Sequence, residues 1–196
     1  DCTISVNNFQ HNINVSDAIQ VENTTIKLNI FGGFATLLVA GTKNKSTREV
    51  GIHHTKSNSI YKVEKPWGHE LWINGEHECY ALKQIYIKAG TKTSLQYHNF
   101  KQETNVLLSG TAKLHFKKST VISNDKIENK DIDTIVLEPI TSIDVKPGSL
   151  HSIEAETDIL LYETSTPHLD DVIRVLDDAK RPSGRIQQEH KMNEIK

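Results

Sequence analysis

Four residues in the second half of the chain have the types and spacing of a metal site: Gln96, His98, Glu103 and His151. Residues two apart on a β-strand face the same side, so Gln96 and His98 can point into one cavity. Glu103 can return on a neighbouring strand, and His151 begins a later strand after a Pro-Gly turn. Two imidazoles, a carboxylate and an amide oxygen suit zinc, manganese, iron or nickel, and a position stays open for water or substrate. The set predicts one divalent metal ion, with zinc as the first choice.

The alternative is that His98 and His151 are ordinary core or surface histidines, which is the usual role of a single histidine. The chain contains 10 histidines, so each one needs separate support. For these two, the spacing and the flanking turn residues occur together, which favours the metal site. The adjacent pair His53 and His54 has no third ligand nearby in the sequence and is interpreted as part of a loop.

Other charged and aromatic residues are candidates for contact with a substrate. His69 and Glu70 lie between two tryptophans, and either could supply acid–base chemistry. Lys83 is either a cation that faces a phosphate or an exposed strand residue. Trp67 and Trp72 fit the filling of a barrel better than stacking on a sugar, because such rings bury large areas.

The elements that must position these residues are short β-strands separated by turns, over residues 59–185. Many short strands at near-regular spacing are typical of an all-β sandwich or barrel. Residues Leu169–Ala179 have the apolar spacing of a short amphipathic helix, and residues 186–196 are predicted to be a charged, frayed tail. The polar insert 117–131 is predicted to be an exposed loop. The predicted strands cover residues 82–87, 93–98, 104–108, 112–116, 135–137, 142–145, 149–153 and 159–162.

Residues 1–58 differ in texture and are predicted to be a separate, β-rich N-terminal extension. A strand is expected at Ile26–Ile30, a turn at Gly32-Gly33 and a second strand at Phe34–Val39. The polar stretch Thr42–Ser59 is interpreted as a loop or linker. The extension could form a contact between protomers, or it could be the end of a larger biosynthetic enzyme.

The composition argues against several classes of function. The formal net charge of −2 gives no basic excess for binding nucleic acid. The longest apolar run, around Phe34–Ala40, is far shorter than the roughly 20 residues that span a bilayer, and no secretory signal is visible. A disulfide between Cys2 and Cys79 is not expected. We therefore expect a cytoplasmic protein with a small-molecule partner and neither nucleic acid nor membrane as a partner.

The spacing of the candidate ligands resembles that of a known superfamily. Gly90-x5-Gln96-x-His98-x4-Glu103-x6-Gly110 is similar to the first cupin motif, and Pro147-x3-His151 is similar to the second. Glutamine in place of the first histidine is a trait of phosphomannose isomerases. The resemblance to the type II phosphomannose isomerase domain covers about residues 60–185. Three segments carry it further: Lys65–Gly68 against R-P-W-G, Ser94–His98 against S-L-Q-x-H, and Leu169–Arg174 against E-D-D-I-V-R.

The resemblance implies a fold and a site. The fold is all-β, a single cupin (double-stranded β-helix or jelly-roll) barrel over residues 59–185, with the N-terminal extension and a short C-terminal helix. The site is a metal ion on the four candidate ligands. Lys83 and Arg174, with Arg185 as a further candidate, would lie near a sugar or phosphate. Lys101 stands where the family has an arginine.

The predicted function is metal-dependent aldose–ketose isomerisation of a sugar or sugar phosphate, as in mannose-6-phosphate isomerase, in carbohydrate or polysaccharide biosynthesis. His69, Lys83 and Arg174 are the catalytic candidates. The base is open among a metal-bound hydroxide, Glu103 and His69. The alternative is a non-catalytic sugar-binding or regulatory cupin, which could lack the metal. A homodimer is expected, since cupins commonly pair through edge strands.

Overall fold

The computed structural model describes residues 2–6, 9–14, 16–24, 27–30, 38–41, 51–117 and 132–191. The chain divides into two compact units, Asp1–Ile60 and Tyr61–Lys196, and each unit is described by itself. The predicted Gly32-Gly33 turn, residues 34–37 of the strand after it, and residues 118–131 of the predicted exposed loop lie outside the described residues.

The first unit contains two small antiparallel sheets. Strand β1 (Cys2–Val6) lies between β2 (Phe9–Ile13) and β4 (Lys27–Ile30). Strand β3 (Ala18–Glu22) pairs with β5 (Gly51–Thr55). The strand predicted at Ile26–Ile30 is therefore present as β4.

The prediction of a loop over Thr42–Ser59 is wrong for residues 51–55, which form β5. Residues 42–50 lie outside the described residues. The strand forms because β3 offers a partner: Ile52 lies opposite Val21, and His54 lies opposite Ile19. The polar sequence of β5 gave no sign of this pairing. The end of the strand predicted at Phe34–Val39 is also wrong, since residues 38–39 are not in a strand.

The second unit is an antiparallel jelly roll of two facing sheets. One sheet has the order β13-β10-β15-β8-β7-β6, and the other has the order β12-β11-β14-β9-β16. Buried apolar side chains from both sheets form one core, with Ile87, Leu137 and Ile159 almost inaccessible to water. The strands are β6 (Tyr61–Lys65), β7 (Gly68–Asn74), β8 (Ala81–Ile87), β9 (Leu95–Tyr97), β10 (Glu103–Ser109), β11 (Ala112–Lys117), β12 (Asp133–Leu137), β13 (Thr141–Val145), β14 (Leu150–Ala155), β15 (Ile159–Ser165) and β16 (Ile173–Leu176).

The inward faces of the strands change from apolar to polar along their length. In β8 every second side chain is buried, so Lys83 and Ile85 both face the interior. In β15, Leu161 and Glu163 do the same, and the register places Glu163 opposite Lys83. Glu103 begins β10 at this same end of β15. One end of the barrel is therefore filled by hydrocarbon, and the other end, which we call the polar end, carries buried charges.

The C-terminal part of the barrel unit corrects two predictions. The helix predicted over Leu169–Ala179 is wrong, because β16 pairs with β9 there and gives the sheet its edge strand. The frayed tail predicted from residue 186 is wrong for residues 186–191, where a short helix α1 (Gln187–Lys191) forms and Ile186 and His190 are buried. Among the described residues, no helix has the length and apolar character needed to cross a membrane.

Gly110 provides a test of close backbone packing at the turn between β10 and β11. Its φ is +83°, and a Cβ atom there would lie 2.3 Å from the carbonyl oxygen of Asp158. Gly90 has a similar φ of +75° but open space around its Cβ position. We expect Gly110→Ala to lower the free energy of unfolding by about 3 kcal/mol and Gly90→Ala by about 1 kcal/mol, because only the first adds a clash to the left-handed strain. Urea denaturation measures both, and equal losses would contradict the clash.

Candidate metal centre and adjoining cavity

Three of the four predicted ligands converge at the polar end of the barrel. His98 follows β9, Glu103 begins β10 and His151 lies in β14, and one ligand atom from each lies within 4.8 Å of the others. His98 Nε2 is 3.4 Å from Glu103 Oε2, and His151 Nε2 is 3.1 Å from Glu103 Oε1. All three residues are buried. The predicted convergence of these side chains therefore occurs in the folded chain.

Both histidine rings are held by backbone carbonyl oxygens on the side away from Glu103. Nδ1 of His98 contacts the carbonyl oxygen of Asp171, and Nδ1 of His151 lies 3.0 Å from that of Ser149. Because a carbonyl oxygen can only accept, each Nδ1 carries the proton and donates it. The Nε2 lone pairs therefore face Glu103, and such carbonyl contacts orient the ligating histidines of metal sites.

The space between the three groups has the chemistry of a cation site. Two imidazole nitrogens and a carboxylate are all acceptors, and at these distances they repel each other unless a cation neutralises them. His98 Nε2 is buried without a hydrogen-bond partner. The residues present therefore fit a divalent ion with nitrogen and oxygen ligands.

Gln96, the fourth predicted ligand, lies directly beside the cluster. It is paired with His151 across β9 and β14. Its Oε1 accepts a hydrogen bond of 2.7 Å from the Ser94 hydroxyl, and the residue lines the cavity described below. Its role as a ligand stays a prediction.

Lys101 places a positive charge against the cluster. Its Nζ lies 2.5 Å from Glu103 Oε2 and 2.8 Å from Glu163 Oε1, and the side chain is buried. Burial opposes its charge, but the two carboxylates raise the pKa of Lys101 above its usual value. Burial likewise opposes the charge on Glu103, but Lys101 holds the pKa of this carboxyl well below its usual value. Lys101 thus neutralises one oxygen of the cluster and connects it to Glu163.

A cavity of about 90 Å³ adjoins the cluster and is lined by both strand and C-terminal residues. Gln96 and Lys101 line it on the side of the metal ligands, and Trp72 and Lys83 line it further along. The Lys83 ammonium lies 4.4 Å from the centroid of the Trp72 ring. The cavity therefore combines buried cations with an aromatic face.

Alternating charges connect the cluster to the C-terminal helix through a series that we call the charge network. The contacts run from Glu103 to Lys101, Glu163, Lys83, Glu70, Lys65 and Glu189, with N···O distances between 2.5 and 3.9 Å. Each buried charge has an opposite neighbour, which offsets the cost of removing it from water. Burial alone would raise the pKa of Glu70, but Lys83, Lys65 and the Trp72 indole N–H lower it to about 2.

The three catalytic candidates from the sequence have different positions. Lys83 is buried in the cavity wall. Arg174 also lines the cavity, but its NH1 donates to the carbonyl oxygens of Pro182 and Gly184, at 2.5 and 2.8 Å. His69 is not among the residues that line this cavity. It stacks on Tyr86 with ring centroids 5.1 Å apart, and burial together with Lys62 lowers its pKa. The structure therefore brings Lys83 and Arg174 to the cavity and leaves His69 outside its lining.

Sequence reasoning named Glu70 as an acid–base candidate but gave no role to Glu163 or Glu189. Glu163 lies on the inward face of β15, and its strand alternation was a signal that could have revealed it. Glu70 is the inward neighbour of His69 on β7 by the same alternation. Lys65 and Glu189 are 124 residues apart, and no local pattern indicates their contact.

Comparisons with known proteins agree with this architecture. The sequence model of the family described as "Mannose-6-phosphate isomerase C-terminal" matches residues 52–177, which is more than half of the chain. The chain belongs to this family. A comparison with curated proteins finds no match. The family assignment confirms the predicted resemblance, and it covers the metal-ligand motifs but not α1.

Solved structures similar to this family member share its cupin fold at low sequence identity. Oxalate decarboxylase from Bacillus subtilis is 12% identical with a TM-score of 0.51, over 70% of this chain and 35% of that chain. Oxalate decarboxylase from Lactobacillus farciminis, in a formate complex, is 13% identical with a TM-score of 0.50, over 62% and 35%. The capsular polysaccharide assembling protein CapF from Staphylococcus aureus is 16% identical with a TM-score of 0.46, over 65% and 31%. The chain spans about a third of the length of these proteins. The predicted cupin jelly roll is confirmed.

Asp171 is expected to control metal affinity through the position of its own backbone. Its carbonyl accepts from His98, and its carboxylate accepts from the backbone N–H groups of residues 99–101 at 2.6 to 3.1 Å. Asp171→Ala removes the side-chain anchor, so the carbonyl no longer fixes the imidazole. We expect binding of Zn²⁺ or Mn²⁺ to weaken by about 10- to 100-fold, measured by calorimetric titration.

Asp158→Ala is the matched control. This carboxylate also accepts from a backbone N–H, that of Ala89, and from the Tyr86 hydroxyl, but it lies at the apolar end of β8. It should reduce stability and leave metal affinity unchanged. An unchanged metal affinity in Asp171→Ala would contradict the positioning role.

Glu70 makes the polar end sensitive to acid. The pKa of this carboxyl, about 2 in the folded chain, lies below its usual value of 4.5. Its charge therefore stabilises the fold above pH 4.5, and this stability is lost as the pH falls towards 2. We expect Glu70→Gln to cost about 3 kcal/mol at pH 7, and the difference from the wild type to shrink as the pH falls from about 4.5. Glu64→Gln, at an exposed pair with Lys62, should cost less than about 1 kcal/mol. Urea titrations across this pH range would contradict the assignment if the Glu70→Gln difference did not change with pH.

Proposed function

We propose that this cupin is a metal-dependent isomerase that interconverts the aldose and ketose forms of a sugar or sugar phosphate in carbohydrate or polysaccharide biosynthesis. The observation that carries the proposal is the acceptor cluster of His98, Glu103 and His151 at the edge of a cavity that holds buried lysines and glutamates. The description of its family supports the same reaction class.

His98, Glu103 and His151, with Gln96 as the fourth ligand, would hold the ion, and zinc is the proposed metal. The bound ion would act as a Lewis acid towards the carbonyl and hydroxyl oxygens of the sugar, where charge develops during isomerisation. The Nδ1 contacts of the two imidazoles keep their Nε2 atoms available for this purpose.

Proton transfer requires a base and an acid near adjacent carbons of the sugar. We propose that Glu163 takes the proton from C2 and returns it to C1, while Lys101 gives a proton to O1 and takes the one on O2. Each group then ends in the protonation state in which it began. Glu163 and Lys101 line the cavity in mutual contact at 2.8 Å, which supports their action as a pair.

Lys83 and Arg174 are proposed to position these groups. Lys83 lies between Glu163 and Glu70, at 3.9 and 3.5 Å, and helps to hold the pKa of Glu70 below its usual value. Arg174 fixes the loop at residues 182–184 through its two carbonyl contacts, and Gly184 of this loop lines the cavity.

A non-catalytic sugar-binding cupin is the second candidate function, and one observation favours it. The Lys101 ammonium already lies 2.5 Å from Glu103 and supplies a cation at the cluster without any metal. Elemental analysis separates the two proposals. Absence of metal, together with sugar binding that survives chelation, would favour the binding protein.

Glu163→Gln tests the proposed reaction directly. We expect metal-loaded wild-type protein to isomerise a member of a panel of phosphorylated aldoses and ketoses, and the variant to lose at least about 100-fold in kcat with unchanged metal content. Glu154→Gln is the control, because this residue pairs with His115 and does not line the cavity. Thermal unfolding shows whether each variant is folded. Metal-loaded protein that turns over no compound in the panel would overturn the isomerase proposal.

A further inference from the structure

The carboxylate of Glu189 occupies a cradle of two cations at the far end of the charge network. Its Oε2 lies 2.7 Å from Lys65 Nζ, and its Oε1 lies 3.1 Å from Arg181 NH1. The side chains of Glu189, Lys65 and Arg181 are only 12%, 9% and 10% exposed, respectively. Each oxygen of this anion therefore has its own nearly buried cationic donor, as in sites that recognise carboxylates and phosphates.

The cavity beside this cradle has a surplus of positive charge. Six basic side chains line it against three acidic ones. The acidic side chains are Glu70, Glu163 and Asp170, and the basic ones are Lys65, Lys83, Lys101, Arg174, Arg181 and Arg185. Three further acidic side chains of the described residues, Glu103, Asp177 and Glu189, contact these cations from outside the lining and bring the balance to six against six. Displacement of Glu189 alone would leave one positive charge unbalanced, and the cavity would then attract an anion.

Glu189 is held in the cradle by a short element. Helix α1 has 5 residues, a length at which a helix has little stability of its own. Its position depends on tertiary contacts. His190 Nδ1 and the Tyr61 hydroxyl share a hydrogen bond of 3.0 Å, and the His190 ring packs edge-on against Trp72. The family match ends at residue 177, before this element begins. Because α1 is part of no sheet, its displacement would break no strand pairing of the barrel.

We propose that Lys65 and Arg181 form a phosphoryl-binding subsite, and that Glu189 is a resident competitor which a phosphorylated sugar displaces. This inference rests on the proposed function for the identity of the sugar substrate. A phosphate monoester carries about −1.5 to −2 charge at pH 7 and three acceptor oxygens, against one charge and two oxygens for a carboxylate. It can accept from NH1 of Arg181, whose Nε and NH2 contact Asp177, and from the lysine through another oxygen.

The competitor makes the subsite selective. A neutral sugar cannot replace the charge of Glu189, so it leaves the carboxylate in the cradle and gains nothing from Lys65 and Arg181. The subsite and the metal ligands lie at opposite ends of the charge network, with Glu70 and Glu163 between them. A sugar phosphate bound in this way would direct its phosphate to Lys65 and its carbonyl end to Glu103.

Glu189→Gln tests the subsite, with Glu156→Gln as the matched control. Gln keeps the shape of the side chain but removes the competing charge, whereas Glu156 pairs with Lys113 and does not line the cavity. Calorimetry with a chelator present would measure binding of mannose 6-phosphate, inorganic phosphate and mannose. We expect Glu189→Gln to bind both phosphates about tenfold more tightly and mannose unchanged, since the free subsite is more populated. Adding Lys65→Met should abolish the gain, and Glu156→Gln should match the wild type.

Unchanged or weaker phosphate binding in a folded Glu189→Gln variant would overturn the subsite, and so would a gain shared by mannose or by Glu156→Gln. Hydrogen exchange in the wild-type chain gives a second readout that needs no variant. Phosphate should speed exchange at residues 187–191 and mannose should not; equal exchange under both conditions would also overturn it. The two proposals can fail separately. If phosphate binds as expected but no sugar phosphate is turned over, only the isomerase proposal is refuted. If turnover occurs but Glu189→Gln has no effect on phosphate binding, only the subsite proposal is refuted.

Discussion

The contact between Lys101 and Glu103 is the interaction on which the polar end of the barrel depends. Both side chains are buried, and each would be very costly alone, because an unpaired charge loses its hydration without compensation. Lys101 also contacts Glu163, so it joins the acceptor cluster to the cavity wall. The remaining contacts of the charge network continue the same alternation to the C-terminal helix. Removal of one member leaves its neighbours uncompensated, which is why such networks behave as units.

The jelly roll can hold this many charges because its strands divide the interior into two halves. Residues such as Ile85 and Leu161 form the core at one end, and Lys83 and Glu163 continue the same inward faces at the other. The apolar half supplies the burial that stabilises the fold. The antiparallel register then determines which charges meet, since Lys83 lies opposite Glu163. Chemistry and stability thus use the same strands at different positions.

Much of the barrel and the core of the candidate site could be predicted from the sequence, because both depend on the spacing of residues close together along the chain. His98 directly follows β9, two residues after Gln96, and a turn precedes Glu103, so the approach of His98 to Glu103 followed from strand geometry and the motif. The helix expected at Leu169–Ala179 failed because apolar residues at that spacing also suit an edge strand, and the need of β9 for a partner is not a local property. For the same reason the pairing of Lys65 with Glu189 could not be predicted from the sequence, because it depends on how the folded barrel places the C-terminal helix. His69 was chosen over Glu70, although the alternation of β7 buries only the second of them.

The lysine at position 101 gives the cluster a character that an arginine would change. A carboxylate has two oxygens, and here they are divided: Oε1 faces His151, while Oε2 faces Lys101 and His98. Glu103 can therefore act as a metal ligand and keep its contact with the Lys101 ammonium at the same time. A carboxylate that shares its charge with an ammonium donates less to a metal, which would leave a bound ion a stronger Lewis acid. The compact lysine point charge permits this division, whereas a planar guanidinium would engage both oxygens of a carboxylate at once. The proposed isomerase and the proposed binding protein then differ in whether a metal ion fills the space between His98, Glu103 and His151.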